Sequence, residues 1–585
     1  MNTKISNMKR FLTFFLVICF VLSINIVKAQ NNKSEQNNAE KRKAQNDNEF
    51  DNSKNKSNNP IATNKDIKYI DNNYSNKSDI SDLSNKFSSA LQIINLSYVD
   101  TVNENKLVET AIIKMLEELD PHSVYISAAE LKAANEPLEG NFEGVGIQFQ
   151  IIKDTIEVVA TIAGGPSEKV GVMPGDKIVM IDKESATGKK ISNDYVLKKL
   201  RGKKNTRVNI MIFRRGVKEL LDFTITRDVI PLKSIDATFM ATDNIGYIKL
   251  DRFAQSSILE FNQSLTELKK KGMKSLILDL RGNSGGYLNT AIDLADEFLP
   301  KGKLIVYTEG VHSQRINYND KYKGDFEDGK LVVLIDEGSA SASEIVAGAI
   351  QDWDRGLIIG RLSFGKGLVQ RPYDLPDGSV IRLTTARYHT PTGRCIQRPY
   401  INGVDKYYED LEDRFKKGEL YTADSIHFPD SLKYYTSKNR VVYGGGGIMP
   451  DIFIPIDTTE TSIYYSSLVR KGILNQFSLQ YVDDHRKKLK EQYTNLDYYV
   501  KNYVVEEEVF NQLVEYAIKD GVKKDDKGIE TSKNLIKRDL KGLIARNLWD
   551  TGAYIQIFMQ TDNAYIKAIE AINDSNTFKK NKIQE

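Results

Sequence analysis

Residues 330–353 read KLVVLIDEGSASASEIVAGAIQDW. Leu331 to Ile335 form an unbroken apolar run, the pattern of a strand buried on both faces. The small residues from Gly338 onward end it, and Ile345, Val346, Ala349 and Ile350 then recur at helical spacing. Ser341 therefore stands where a strand gives way to a helix. A helix N-terminus supplies free N–H groups and a partial positive charge, both suited to a developing oxyanion. A serine hydroxyl there still needs a base, because at neutral pH it is protonated and weakly nucleophilic.

Outward from this stretch, everything after residue 227 alternates apolar strands with amphipathic helices. IGYIKLDRF (245–253) and SLILDL (275–280) read as strands, and ILEFNQSLTELKKKG (258–272) reads as a helix. LNTAIDLADEFL (288–299) is a second helix, with Leu288, Ile292, Ala295 and Leu299 on one face. The expected fold is multidomain α/β, a mixed or parallel sheet covered by helices. Between strand and helix lies LDLRGNSGGYLN (278–289), whose GNSGG matches the surroundings of the nucleophilic serine in trypsin-like proteases and makes Ser284 a rival to Ser341. That chemistry needs a histidine and an aspartate. The histidines are His122, His312, His389, His427 and His485, and only His122 precedes Ser284, in a helical segment with no double barrel around it. Where trypsin-type proteases carry a PDZ domain, the histidine-bearing domain comes first; here the order would be reversed. Ser284 is rejected on order.

The other base on offer is a lysine. LIIGRLSFGKGLVQ (357–370) places Lys366 between two glycines in a loop leading into a strand, where its backbone can approach another segment closely. Lowering a lysine from ~10.4 toward ~7–8 means disfavouring the ammonium by roughly 4 kcal/mol, within reach of a desolvated site.

The N-terminal half has a different organisation. Lys4, Lys9 and Arg10 precede the uncharged run from Phe11 to Val27, and Val27-Lys28-Ala29 fits signal-peptidase cleavage after Ala29. The alternative is an uncleaved anchor, for which the run is slightly short of the roughly 20 residues of a membrane span. Residues 30–78 are Asn, Lys, Ser and Asp with hardly an aromatic, the composition of a flexible tether. Helical periodicity resumes over 79–137. From 138 to 226, short strand-like runs surround GGPSEKVGVMPGD and the helical NDYVLKKLRG. Gly144-Val145-Gly146-Ile147 offers consecutive N–H groups suited to a peptide's terminal carboxylate, beside a strand edge open to β-augmentation. GVGI, GGPSEKVGVMPGDKI and the following helix together resemble a PDZ domain.

SASASEIVAGAIQDW followed by IIGRLSFGKGLVQ resembles the carboxyl-terminal processing, or tail-specific, proteases, which use a serine–lysine pair. With LVETAIIKMLEELDPHSVY, YHTPTGRCIQ and GGGIMPDIFIP, the resemblance covers roughly residues 85–456 in the family's order. It implies a ClpP/crotonase-like mixed sheet-and-helix core over 227–456, with helical N- and C-terminal regions. It makes Ser341 the nucleophile, Lys366 the general base and Gln370 the side chain that orients the lysine. Asp352 occupies the place of an aspartate counted as catalytic in some members and is taken as supporting. GNSGG becomes part of the oxyanion hole, through the N–H of Gly285 or Gly286 together with that of Ala342, and Ser284 a bystander. An insertion at about 400–440 and a helical extension over 457–585 depart from the family pattern, and neither is expected to touch the catalytic motifs. Dimers through the N- or C-terminal helices are implied, and an activating adaptor stays open.

Composition bounds the alternatives. The chain has 585 residues, 82 basic and 79 acidic side chains, and a net charge of +3, which gives no reason to expect nucleic acid as a partner. No HExxH, Cys/His cluster or GxxxxGK[ST] occurs, so neither metal nor nucleotide cofactor is expected. Cys19 lies in the N-terminal run, leaving Cys395 without a partner in a cleaved chain. The expected function is a periplasmic or cell-envelope serine endopeptidase acting on flexible protein C-terminal tails. The rivals are a catalytically silent PDZ scaffold and a coenzyme A enzyme on a similar core, which a secretory signal and a PDZ segment disfavour.

Overall fold

The structure is a computed structural model that describes residues 79–583 other than 153, 163, 189 and 190. The expected signal and tether, 1–78, lie outside the described residues.

A six-stranded sheet organises the C-terminal half, in the order Ile235–Met240, Ile245–Leu250, Ser275–Asp279, Leu331–Ile335, Leu357–Gly360, Ile452–Phe453. The first pair is antiparallel and every later pair parallel. The three central strands are buried at every position, as a sheet covered on both faces requires. Alternate side chains go to opposite faces. Leu276, Leu278, Val333 and Ile358 pack under helices Ser257–Lys270, Leu288–Asp296 and Ala342–Asp352. Ile277, Val332, Leu334 and Ile359 pack under Tyr565, Ala568, Ile572 and Phe578 from helices Asn563–Asn573 and Ser575–Lys580. The last helices of the chain thus complete the second face of this sheet, whereas residues 464–557 enclose a cluster of their own.

A smaller sheet stands beside the first, with Val380–His389 paired to Val124–Ile126, Leu304–Gly310 and Leu368–Asp374. It receives the strand that follows Lys366 and the loop that follows the N-terminal helix Glu104–Glu117. The preceding helix, Ile80–Ser97, buries none of its residues and exposes Leu83, Phe87 and Ile94. No helix among the described residues is long and apolar enough to cross a membrane.

The segment that resembles a PDZ domain builds a separate antiparallel sheet, Ile147–Ile152, Thr155–Thr161, Lys177–Ile181, Arg207–Phe213 and Leu221–Thr226 in that order. Val145, Ile156, Val158, Ile178, Val196 and Ile210 form its core under helix Asn193–Leu200. Its entry and exit are zipped together by Asn141–Gly144 against Asp228–Pro231.

Candidate active site

Ser341 caps helix Ala342–Asp352 with φ +55° and ψ −111°, a conformation a residue with a Cβ holds only when its surroundings impose it. The imposing residue is Glu344. Its buried carboxylate accepts from Ser341 N at 2.9 Å, Gly365 N at 2.7 Å, Lys366 N at 2.9 Å and Ser363 Oγ at 2.5 Å. One side chain therefore fixes both the serine's turn and the lysine's loop. Burial pushes Glu344 up to about 7, against the pull of these donors. Tyr388 reinforces the link: its hydroxyl lies 3.1 Å from Ser341 O and 2.5 Å from Lys366 O, sharing one proton between them. The sequence reading missed both residues. Ser341-Ala-Ser-Glu344 is the S-x-x-E signature of a capping box and could have revealed the first; no local pattern marks Tyr388.

Lys366 is half-buried, and burial lowers its amine to about 8, with Asp120 and Glu344 opposing and Arg382 adding to the effect. Among the described residues Nζ makes no hydrogen bond, to Ser341 Oγ or to any other group, so Glu344 joins the two backbones while the amine itself stays unbonded. The Gln370 amide donates to Thr384 Oγ1 at 3.3 Å, and Thr384 Oγ1 donates to Asp120 Oδ1 at 3.1 Å. Gln370 thus belongs to a chain running to Asp120 and does not bond the lysine here. His122, on the same loop as Asp120, bonds Tyr407 Oη at 2.9 Å through Nε2. Burial first, then Lys366 and Arg398, lower His122 to about 3, so the imidazole is neutral.

The GNSGG loop lies against the serine. A Cβ on Gly285, whose φ is +102°, would stand 2.8 Å from Ser341 Cβ and 3.0 Å from Ala342 N. Gly285 N is already donated to Asn283 Oδ1 at 2.9 Å. Gly286 and Ala342 keep N–H groups without a partner among the described residues. Of the two glycines, Gly286 is the one with a donor to offer, while Gly285 provides the close approach. Asn283 holds this arrangement: its Nδ2 donates to Leu250 O, and its carbonyl accepts from Ala340 N and Ser343 Oγ. Ser284 is exposed.

Asp352 is neither solvated nor beside the serine. It lies eleven residues along the helix, about 16 Å away at 1.5 Å per residue. Its carboxylate is fully buried against Arg394 at 2.7 Å and also accepts from Thr392 N and Oγ1. The insertion and the C-terminal extension do touch the catalytic motifs, contrary to expectation. Arg414, on helix Val404–Lys416, donates to Leu362 O and Ser363 O just ahead of Lys366. Asp562, at the start of Asn563–Asn573, pairs with Arg281 of the glycine loop at 2.8 Å.

In the PDZ-like unit, Gly144, Val145, Gly146 and Ile147 lead into Ile147–Ile152, which is an edge strand. Val145 O accepts from Ser167 N and Oγ, and Gly146 O from Ile162 N, whereas Val145 and Gly146 N–H are unpaired among the described residues. Ile147, Phe149 and Ile151 along the edge and Tyr195 on the helix are only partly buried.

Family models match this chain over residues 244–406 (peptidase family S41), 22–130 (activating protease CtpB N-terminal domain) and 464–550 (a family of unknown function). A carboxy-terminal-processing protease of Bartonella bacilliformis is 38% identical over 345 residues, 58% of this chain and 78% of its own length. A probable CtpA-like serine protease of Staphylococcus aureus is 35% identical over 323 residues, 55% of this chain and 64% of its own. Among solved structures, a photosystem II D1 C-terminal processing protease is 26% identical, with 64% of this chain and 93% of that one covered and a TM-score of 0.33. On the strength of the Bartonella relative, matched over most of its length, the chain belongs to the carboxy-terminal-processing protease family and is a serine-type peptidase.

Proposed function

We propose that the protein is an exported endopeptidase that captures flexible C-terminal tails at its PDZ domain and cleaves them with Ser341 as nucleophile and Lys366 as general base. The observation that carries this reading is the Glu344 carboxylate, which joins the serine's backbone to the lysine's. A neutral Lys366 takes the Ser341 proton as Oγ attacks the scissile carbonyl. The oxyanion is received by the N–H of Gly286 and Ala342, each worth ~3 kcal/mol in the transition state. The ammonium then protonates the leaving amine, and water hydrolyses the acyl-enzyme. With the amine at about 8, roughly a tenth is neutral at pH 7, so turnover rises with pH up to about 8 and levels above it. The substrate's carboxylate would meet the free N–H groups of Val145 and Gly146, with its last residues added to the Ile147–Ile152 edge.

Export is supported by the N-terminal run alone, a ClpP/crotonase-like core by the helix-covered sheet, and dimerisation by the exposed apolar stripe of Ile80–Ser97. The unengaged Lys366 amine favours one competing reading, a silent scaffold that holds tails without cutting them. Turnover of an unfolded protein decides. Cleavage that vanishes in Ser341→Ala and Lys366→Ala and survives in Ser284→Ala supports the protease. Tail binding with no cleavage by the unsubstituted chain, or cleavage that outlives Lys366→Ala, refutes it.

A further inference from the structure

Three elements carry charged or titratable groups that are coupled electrostatically to the Lys366 amine. Asp120 and His122 come from the loop after Glu104–Glu117, Glu344 from the serine's helix and Arg382 from Val380–His389, with Arg398 acting on His122. Most of these are committed elsewhere. Glu344 serves four donors, the His122 ring is neutral and bonded to Tyr407, and Arg382 donates to Asn135. Asp120 is different. It is 6% exposed, and every donor it accepts from is neutral: His122 N at 2.7 Å, Ser123 N at 2.9 Å, Ser123 Oγ at 2.6 Å and Thr384 Oγ1 at 3.1 Å. Among the described residues it has no cationic nitrogen within 4.0 Å. A buried carboxylate that several N–H and O–H groups hold in place, but that no cation neutralises, is an anion fixed in advance of a positive charge.

We propose that Asp120 is the counter-charge for the ammonium that forms on Lys366 when Ser341 gives up its proton, a positioning residue contributed to the base by the N-terminal segment. This rests on the serine–lysine reading. The proton passes from Ser341 Oγ to Lys366 Nζ as the Oγ–carbon bond forms, so a positive charge appears on the amine and the negative charge on the substrate oxygen. An anion held beyond contact distance steadies the ammonium in the transition state without pinning the resting amine in its charged form. Thr384 ties this anion to Gln370, so the N-terminal loop and the strand after the lysine are set as one unit.

The test is the pH dependence of Ser341 phosphonylation by a fluorophosphonate, in which Oγ displaces fluoride from phosphorus, in the full-length protein, with melting temperature as the check on folding. Removing the anion destabilises the ammonium and lowers the lysine's pKa, so Asp120→Asn should move the acid limb to lower pH by about 1 unit and depress the plateau. Thr384→Val and Ser123→Ala each take one donor from Asp120 and keep its charge, the first from Oδ1 and the second from Oδ2, and each should move the limb the same way by less. Asp120→Glu, which disturbs the same turn and keeps the charge, should leave the limb nearer its place than Asp120→Asn does. The Asp120→Asn shift should persist in a Glu344→Gln background, which separates it from titration of Glu344. A limb unmoved in folded Asp120→Asn, or moved equally in folded Asp120→Glu, overturns the proposal. If Lys366→Ala is phosphonylated with the unsubstituted protein's rate and limb, the serine–lysine reading fails instead.

Discussion

Gly285 is where the two halves of the site come closest. Its backbone at φ +102° runs so near the serine that a methyl group would press on Ser341 Cβ, Ala340 O and Ala342 N at once. None of these is the yielding end of a flexible side chain. Gly285→Ala must therefore push the Ser341 turn away from Gly286, and, if Ser341 is the nucleophile as proposed, a misplacement of ~1 Å costs on the order of 100-fold in rate. The expected result is a rate of phosphonylation by a fluorophosphonate down by roughly that factor, with PDZ-peptide affinity unchanged. Phosphonylation at the unsubstituted rate would mean that the glycine loop does not line the oxyanion hole. Gly285, Ser341 and Lys366 were legible because each sits in a short local pattern. Asn283 was quoted within GNSGG and passed over, since nothing local shows that its amide joins Leu250 to Gly285. Tyr388 was illegible for the same reason, its partners lying 47 and 22 residues away, and Asp120 because its local donors mark only a turn while Thr384 lies 264 residues on.

At the scale of the element, helix Ala342–Asp352 does two unrelated jobs at its two ends. The first turn aims Ser341 and Glu344 at the lysine loop. The last residue, Asp352, forms an ion pair with Arg394 in which both side chains are fully buried, and it anchors the turn at Thr392. Breaking such a pair from one side leaves an uncompensated charge and costs about 3–5 kcal/mol. Asp352→Ala should lower the urea midpoint seen by Trp353, the next residue along, while the native fraction retains most of its turnover. A fall in kcat at an unchanged midpoint would return Asp352 to the catalytic group. The helix itself was plain from its apolar spacing, yet the same spacing could not say whether its end was solvated or buried, because Arg394 comes from a loop 42 residues on. The insertion was misjudged in the same way. It was expected to stay clear of the catalytic motifs, but Arg414 on its helix Val404–Lys416 is buried and gives its Nη donors to the carbonyls of the lysine's loop.

Across the whole molecule, the end of the chain closes the fold. The central strands alternate with period two, so half their apolar side chains need a cover that helices Ser257–Lys270, Leu288–Asp296 and Ala342–Asp352 cannot supply. Tyr565, Ala568, Ile572 and Phe578 supply it, more than 200 residues after the strands they protect. Asp562 then links this cover to the chemistry. The same carboxylate caps helix Asn563–Asn573 through Tyr565 N and grips Arg281 Nη1 with both oxygens, at 2.8 and 2.9 Å. Arg281 is itself paired with buried Asp279, and its carbonyl takes Lys249 Nζ, so the start of the glycine loop is held from three sides. Two substitutions separate cover from linkage. Tyr565→Ala opens a hole over Tyr247 and Phe239 and should cost about 3–5 kcal/mol of stability, leaving kcat of the native fraction near its starting value. Asp562→Ala removes a cap worth ~1 kcal/mol and a largely buried ion pair, so both the melting temperature and kcat should fall, with KM for a short peptide little changed. Deleting residues 559–585 removes cover and linkage together, and should yield an insoluble protein readily degraded in limited proteolysis. A soluble truncation that still cuts peptides at the full-length rate would show that the sheet's second face tolerates water and that the glycine loop keeps its shape without Asp562.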